Sequence, residues 1–171
     1  MNRALAVTLV SLAVAVLALL TALVAVFTPP IPTPESRAVE RHDQAEEDEA
    51  TLLDHMVLMQ RYVEKAALAS EAGNWPLTQF YAQKIDERAG RVIEGGYVVD
   101  GVDVSAIAAE VADPRATALT EAAATRDSAR FAAAYDDMII GCNACHVRSG
   151  YGLVRIVRPD ASRYPSQVFE E

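Results

Sequence analysis

The chain has 171 residues, which is enough for one domain of ordinary size with accessory segments. It is acidic, with 24 Asp and Glu against 15 Lys and Arg and a net charge of −9, which argues against nucleic acid as a partner because phosphates attract basic surfaces. Aromatic residues make up only 6% of the chain, whereas Ala and Leu are abundant. This composition favours helices over a β-sandwich or barrel and predicts an all-α protein.

The first 27 residues contain an uncharged apolar segment from Ala4 to Phe27. Its length exceeds the ~20 helical residues that cross a bilayer. Arg3 is the only charge before it, which favours a cytoplasmic N-terminus. A cleaved signal peptide is the competing interpretation, but its apolar region is ordinarily ~7–15 residues long and ends at a small-residue cleavage site. We predict an uncleaved transmembrane anchor over residues 1–27.

Residues 28–50 are predicted to be a Pro-rich and acidic linker. Four prolines between Thr28 and Pro34 favour an extended spacer. The acidic stretch that follows is typical of a solvated helix face or a frayed lead-in, and a docking surface is the less common alternative.

The remaining residues, 51–171, are predicted to form one domain of four helices followed by an extended C-terminal tail. The first helix carries an apolar stripe that recurs every three or four residues: Leu52, Met56, Met59, Val63, Ala66 and Ser70. Asn74 is a favoured N-cap for the second helix. Asp103 caps the third, which Pro114 breaks or kinks, and Asp127 caps the fourth.

The fourth helix runs into Cys142-Asn143-Ala144-Cys145-His146, the attachment signature for a c-type haem. Positions i, i+3 and i+4 share one face of a helix. The two sulfurs can therefore reach the two vinyl groups of one haem while the imidazole reaches its iron. These residues contain the only two cysteines of the chain. The motif predicts one covalent haem c, bound through Cys142, Cys145 and His146.

Other uses of the cysteine pair fit the chain less well. A thioredoxin-type dithiol needs a strand–helix setting. Structural zinc usually takes four Cys or His ligands, and only His42 and His55 remain to complete a set. A disulfide within one helix turn is sterically poor and leaves His146 unexplained. The carboxylates form no recognisable catalytic pair, so we expect an electron carrier or ligand-binding haem protein rather than an enzyme.

The second axial position of the iron has three candidates, Met56, Met59 and His55, on or beside the stripe of the first helix. A Met at core spacing is also typical of simple packing. Arg148 and Arg155 are candidates for contacts with haem propionates, because guanidinium groups suit carboxylates, although surface arginines are commonly just solvated.

A late Cys-x-x-Cys-His on the fourth of four helices resembles the class II c-type cytochromes, the cytochrome c-prime group. The resemblance covers roughly Thr51 to Gly150. It implies an antiparallel four-helix bundle with the haem in its core and His146 as the proximal ligand. It also implies a distal side lined by the first helix, where low-spin members bind the iron through a Met and c-prime proper leaves the position vacant. Met56 lies close to that family position, so the resemblance makes it the preferred distal candidate over Met59 and His55.

Together these features predict a membrane-anchored monohaem cytochrome. We expect it to carry electrons at the periplasmic face of the bacterial inner membrane, with a distal Met on the iron. Redox proteins or a membrane electron-transfer complex are the expected partners, steered by the acidic surface, and a homodimer through the bundle helices is a further option. The alternatives are a five-coordinate haem that binds or senses NO or CO, and a structural subunit of a larger respiratory or photosynthetic complex.

Overall fold

The structure, a computed structural model, describes residues 33–170. The predicted membrane span from Ala4 to Phe27 lies outside these residues. No helix within the described part of the chain is both long enough and apolar enough to cross a bilayer. The chain divides after Arg41 into two units, and the second, His42–Glu171, contains the Cys-x-x-Cys-His motif.

The described residues form an all-α fold, as predicted, with one short hairpin between two of the helices. The helices are α1 (Pro34–Glu71), α2 (Trp75–Gly95), α3 (Val104–Val111), α4 (Asp113–Thr125) and α5 (Ser128–Arg148), and the hairpin is formed by β1 (Val98–Val99) and β2 (Val102–Asp103). The first helix begins at Pro34 rather than near Thr51, so it includes much of the segment predicted as a linker. Proline is suited to a helix start because its missing N–H has no intrahelical partner there.

The N-caps predicted for the later helices, at the starts of α2, α3 and α5, are confirmed. Asn74, Asp103 and Asp127 each accept a hydrogen bond from a backbone N–H two or three residues further on, at 2.8–3.0 Å. The break predicted in the third helix near Pro114 is also present, between α3 and α4. Pro114 lies in the first turn of α4, where its ring is tolerated.

The hairpin between α2 and α3 was not predicted. The two strands pair antiparallel, with Val98 opposite Asp103 and Val99 opposite Val102. Asp100 and Gly101 form the turn with φ angles of 51° and 79°. An Asp-Gly pair favours this left-handed turn, so the sequence did contain a local signal for the hairpin.

Alanine dominates the core of the helices. Among the side chains that the structure describes, seven alanines have no exposed surface: Ala66, Ala67, Ala69, Ala82, Ala89, Ala116 and Ala123. Such small side chains let helices approach closely. Helices α2 and α5 each pack against α3 and α4, and the buried Tyr135 of α5 donates its hydroxyl to the Val63 carbonyl of α1 at 3.1 Å. The α1 stripe changes from Leu and Met at Leu52–Met59 to Ala near its C-terminus, so the close packing belongs to the C-terminal half of the stripe.

The tail after Gly150 contains no helix and is attached to the helices along its length. Side-chain hydrogen bonds hold it at several points, among them Arg158 to Asp136 at 2.8 Å, Tyr164 to Glu64 at 2.5 Å, and Gln167 to the Tyr81 hydroxyl at 2.5 Å. Phe169 is buried near its end. The tail is therefore a packed part of the domain.

Arg126 ends α4 in the left-handed region, with φ of 57°. An L residue there costs roughly 1–2 kcal/mol that glycine avoids, partly offset by the greater entropy that glycine loses on folding. We expect Arg126→Gly to raise the free energy of unfolding by up to about 1 kcal/mol. Ala133→Gly is the matched control, because it introduces glycine at an exposed position inside α5 and should lower that free energy by about 0.5–1 kcal/mol. Urea unfolding measures both, and equal losses would contradict the strained cap.

Candidate functional site

An apolar cavity lies beside α1 and the C-terminal part of α5. Its volume is about 210 Å³ and it is open to the surface, so it is smaller than the ~300–1,000 Å³ typical of small-molecule sites. Its principal lining residues are Leu52, Met56, Met59 and Val63 of α1, Ala89 and Val92 of α2, Val104 and Ala108 of α3, Cys142, Cys145 and His146 of α5, and Tyr151, Val154 and Ile156 of the tail.

Small side chains account for the size of this cavity. The walls contributed by α2, α3 and the break after α3 carry Ala89, Ala108 and Ala112, and α5 contributes two cysteines instead of larger aliphatic residues. Protein interiors otherwise contain few voids larger than a water molecule. Concave sites with mostly apolar walls and a few polar groups are typical of small-molecule binding.

The three motif residues predicted to bind haem line this single cavity. Both cysteines are free thiols. Burial, and secondly the nearby Cys145, raise the pKa of Cys142 to about 12, and burial also raises the pKa of Cys145. Dithiol redox motifs instead depend on a lowered thiol pKa. The environment of these cysteines therefore argues against a redox dithiol.

His146 is oriented by the tail. Its Nδ1 lies 2.8 Å from the carbonyl oxygen of Val154. Because a carbonyl can only accept, Nδ1 carries a proton, and in the neutral imidazole Nε2 then keeps a lone pair for a metal. A backbone carbonyl on the other ring nitrogen is a usual feature of metal-binding histidines.

The candidates for the second axial ligand are separated by the structure. Met56 and Met59 both line the cavity, whereas His55 is not among the residues that line it. The Nδ1 of His55 accepts a hydrogen bond from Arg88 at 3.2 Å, and its ring packs edge-on against Tyr97. Burial, and secondly the charge of Arg88, lower the pKa of His55.

Neither predicted propionate contact lines the cavity. Arg148 donates to the carboxylate of Glu110 at 2.6 Å on the surface between α5 and α3, and this ion pair competes with any other acceptor. Arg155 lines a second, more polar hollow. Gln60 and Ile156 line both the cavity and this second hollow, so Arg155 lies next to the cavity. Arg148 is instead engaged by Glu110.

Comparison with protein-family models, curated proteins and solved structures finds no match to this chain. The residues themselves fit a haem: two cysteines and a histidine with a free Nε2 line an otherwise apolar cavity. Within residues 33–170, no three His, Cys, Asp or Glu side chains are grouped so that they could hold a single metal ion.

Sequence reasoning missed Arg115 on α4. A Cβ at Gly141 would lie 2.3 Å from its Cδ, so glycine at that position lets the Arg115 side chain cross α5 immediately before Cys142. Arg115 also lies 3.3 Å from the Asp137 carboxylate. The glycine within a helix was the available signal, because glycine costs helix stability and often marks a close approach.

Sequence reasoning also missed Asn143 and Val154. The side chain of Asn143 bonds to the tail, and the carbonyl of Val154 orients His146. Asparagine inside a helix is unfavourable because its amide competes for backbone groups, and this was the one local signal. The contact made by Val154 depends on where the tail docks, for which the sequence has no local signal.

We expect Cys142 of the haem-free protein to be alkylated slowly. Raising its pKa from 9.0 to about 12 lowers the thiolate fraction at neutral pH about a thousandfold. Iodoacetamide labelling followed by mass spectrometry measures this, with Cys145→Ser isolating Cys142 and the denatured chain as the control. Labelling of the folded protein as fast as that of the denatured chain would contradict the buried-thiol assignment and favour a redox dithiol.

Proposed function

We propose that this chain is a monohaem c-type cytochrome of class II. Its helices form an antiparallel four-helix bundle in which α3 and α4 together take the place of the third helix. The observation that carries the proposal is the position of His146: its Nδ1 is held by the Val154 carbonyl, and it lines one apolar cavity with Cys142 and Cys145. A haem iron bound there supplies one-electron redox chemistry, and the protein is an electron carrier.

The chain supplies attachment, orientation and exclusion of water in this proposal. Cys142 and Cys145 hold the haem through two thioether bonds, and His146 binds its iron through Nε2. Apolar walls such as Leu52 and Val63 keep water from the site, and burial of this kind tunes the reduction potential. Arg155 remains a proposed propionate contact because of its place beside the cavity.

Met56 is the proposed distal ligand, with Met59 as its alternative, and a Met ligand raises the reduction potential. The support is that both line the cavity from α1. A second candidate function is a five-coordinate haem that binds NO or CO. Leu52 and Val63 favour it, because they line the same wall as the methionines and cannot bind iron. If Met56 and Met59 serve only as packing, the sixth coordination position of the iron stays open.

The cellular setting is also a proposal. Residues 1–27 would anchor the protein in the bacterial inner membrane with the haem domain in the periplasm, supported by the apolar character of Ala4–Phe27. Redox proteins or a membrane electron-transfer complex would be the partners, and the net charge of −9 would attract a basic one. Leu53 and Val57 are exposed apolar side chains of α1 that also line the cavity, and a homodimer that covers them through the helices is a further proposal.

Replacing Cys142 and Cys145 with Ala should abolish covalent haem, because no thiol remains to add to a vinyl group. A haem stain of the protein on a denaturing gel measures this. Ser149→Ala is the control, since Ser149 lies 4.0 Å from the Cys145 sulfur without belonging to the motif, and it should stain like wild type. Haem that survives on the double variant would overturn the proposed function.

We expect Met56→Leu to convert a low-spin haem spectrum into a high-spin one that changes on CO addition. Leucine preserves the volume of methionine but cannot ligate, so packing is little altered. Met59→Leu, on the same wall, is the matched control and should remain low-spin. Absorption spectra of oxidised and reduced protein, with and without CO, decide the point. A wild-type protein that readily binds CO would instead support the five-coordinate function.

A further inference from the structure

Asn143, the first variable residue of the Cys-x-x-Cys-His motif, is tied to the tail by both ends of its side-chain amide. Its Nδ2 donates to the carbonyl of Ile156 at 2.9 Å, and its Oδ1 accepts from the backbone N–H of the same residue at 2.8 Å. The amide thus pairs with one residue as a neighbouring strand would. We refer to these two hydrogen bonds as the amide clasp.

The clasp lies next to the hydrogen bond that orients His146. Asn143 and His146 are three residues apart on α5 and share one face of that helix. Their tail partners, Ile156 and Val154, are two residues apart and both direct backbone groups at α5. The two spacings, about 4.5 Å along a helix and about 6.6 Å along an extended chain, are similar enough for both contacts to form together.

Val154 is also held from the preceding side. The Tyr151 N–H donates to the His146 carbonyl at 2.7 Å, and the Val154 N–H donates to the Tyr151 carbonyl at 2.8 Å. Val154 is therefore fixed between this turn and the amide clasp. Its carbonyl is the group that contacts Nδ1.

We propose that Asn143 is a positioning residue for His146, acting through the tail by holding the Val154 carbonyl against Nδ1. The inference rests on the proposed function, because it assigns His146 to a haem iron. A carbonyl on Nδ1–H fixes the tautomer and the ring orientation and makes the histidine a more basic ligand. A more basic ligand stabilises oxidised iron, so the clasp keeps the reduction potential lower than it would otherwise be.

The effect of removing the clasp is local, because other contacts hold the rest of the tail. Arg158 pairs with Asp136 and Tyr164 with Glu64, further along the tail than Ile156. Loss of the clasp therefore frees the Val154 carbonyl without detaching the tail.

The test uses the full-length haem protein with Asn143→Ala and, separately, Ile156→Pro, which removes the N–H donor while leaving the motif intact. Both variants should keep covalent haem on a denaturing gel. Both should shift the reduction potential upward, and the His146 Nδ1–H proton should exchange about five- to tenfold faster in NMR spectra of the reduced protein. Tyr164→Phe is the matched control, since it removes a tail hydrogen bond remote from His146, and it should change neither quantity.

Two results overturn the positioning role of Asn143. The first is an unchanged potential and an unchanged exchange rate in Asn143→Ala that still carries haem. The second, which decides the case where Asn143→Ala acquires no haem, is an unchanged potential in Ile156→Pro. A wild-type protein without covalent haem would refute the proposed function, and that failure is read separately on the gel.

Discussion

The hydrogen bond between His146 Nδ1 and the Val154 carbonyl joins the motif, the tail and the cavity. It requires the tail to turn back after α5, which the Tyr151–Val154 turn accomplishes. It also makes Nε2 the nitrogen with a free lone pair. Without the tail, α5 would present an imidazole whose protonated nitrogen and ring orientation were unspecified. A motif that is local in sequence thus depends on residues beyond the end of its own helix.

The cavity depends on a contrast in side-chain size within one core. Near Ala66, alanines allow close helix contacts, and Tyr135 bridges α5 to α1. Toward Leu52, α1 carries large residues, and the cavity wall opposite includes the small Ala89 and Ala108 beside larger residues such as Val92. Small residues therefore allow close packing near Ala66 and contribute to the cavity near Leu52.

The parts that sequence predicted correctly were those decided by local chemistry. The caps at Asn74 and Asp127 need only a side-chain oxygen near free N–H groups, and the face shared by the motif needs only helix geometry. The tail contact of Val154 and the pairing of Arg148 with Glu110 depend on how distant segments dock, so no local pattern contains them. The hairpin differs from both cases, because its turn residues carried a local signal that was not used.

The contacts of His55 separate it from the other two distal candidates. His55 meets Arg88 and Tyr97, whereas Met56 and Met59 line the cavity. Met59 is only 7% exposed and belongs to the packed core, while Met56 is more open. Met59 already has protein neighbours around it, and Met56 gains most from a group that fills the cavity. The burial of the two residues therefore supports Met56 as the ligand and Met59 as packing, a reason that does not depend on family resemblance.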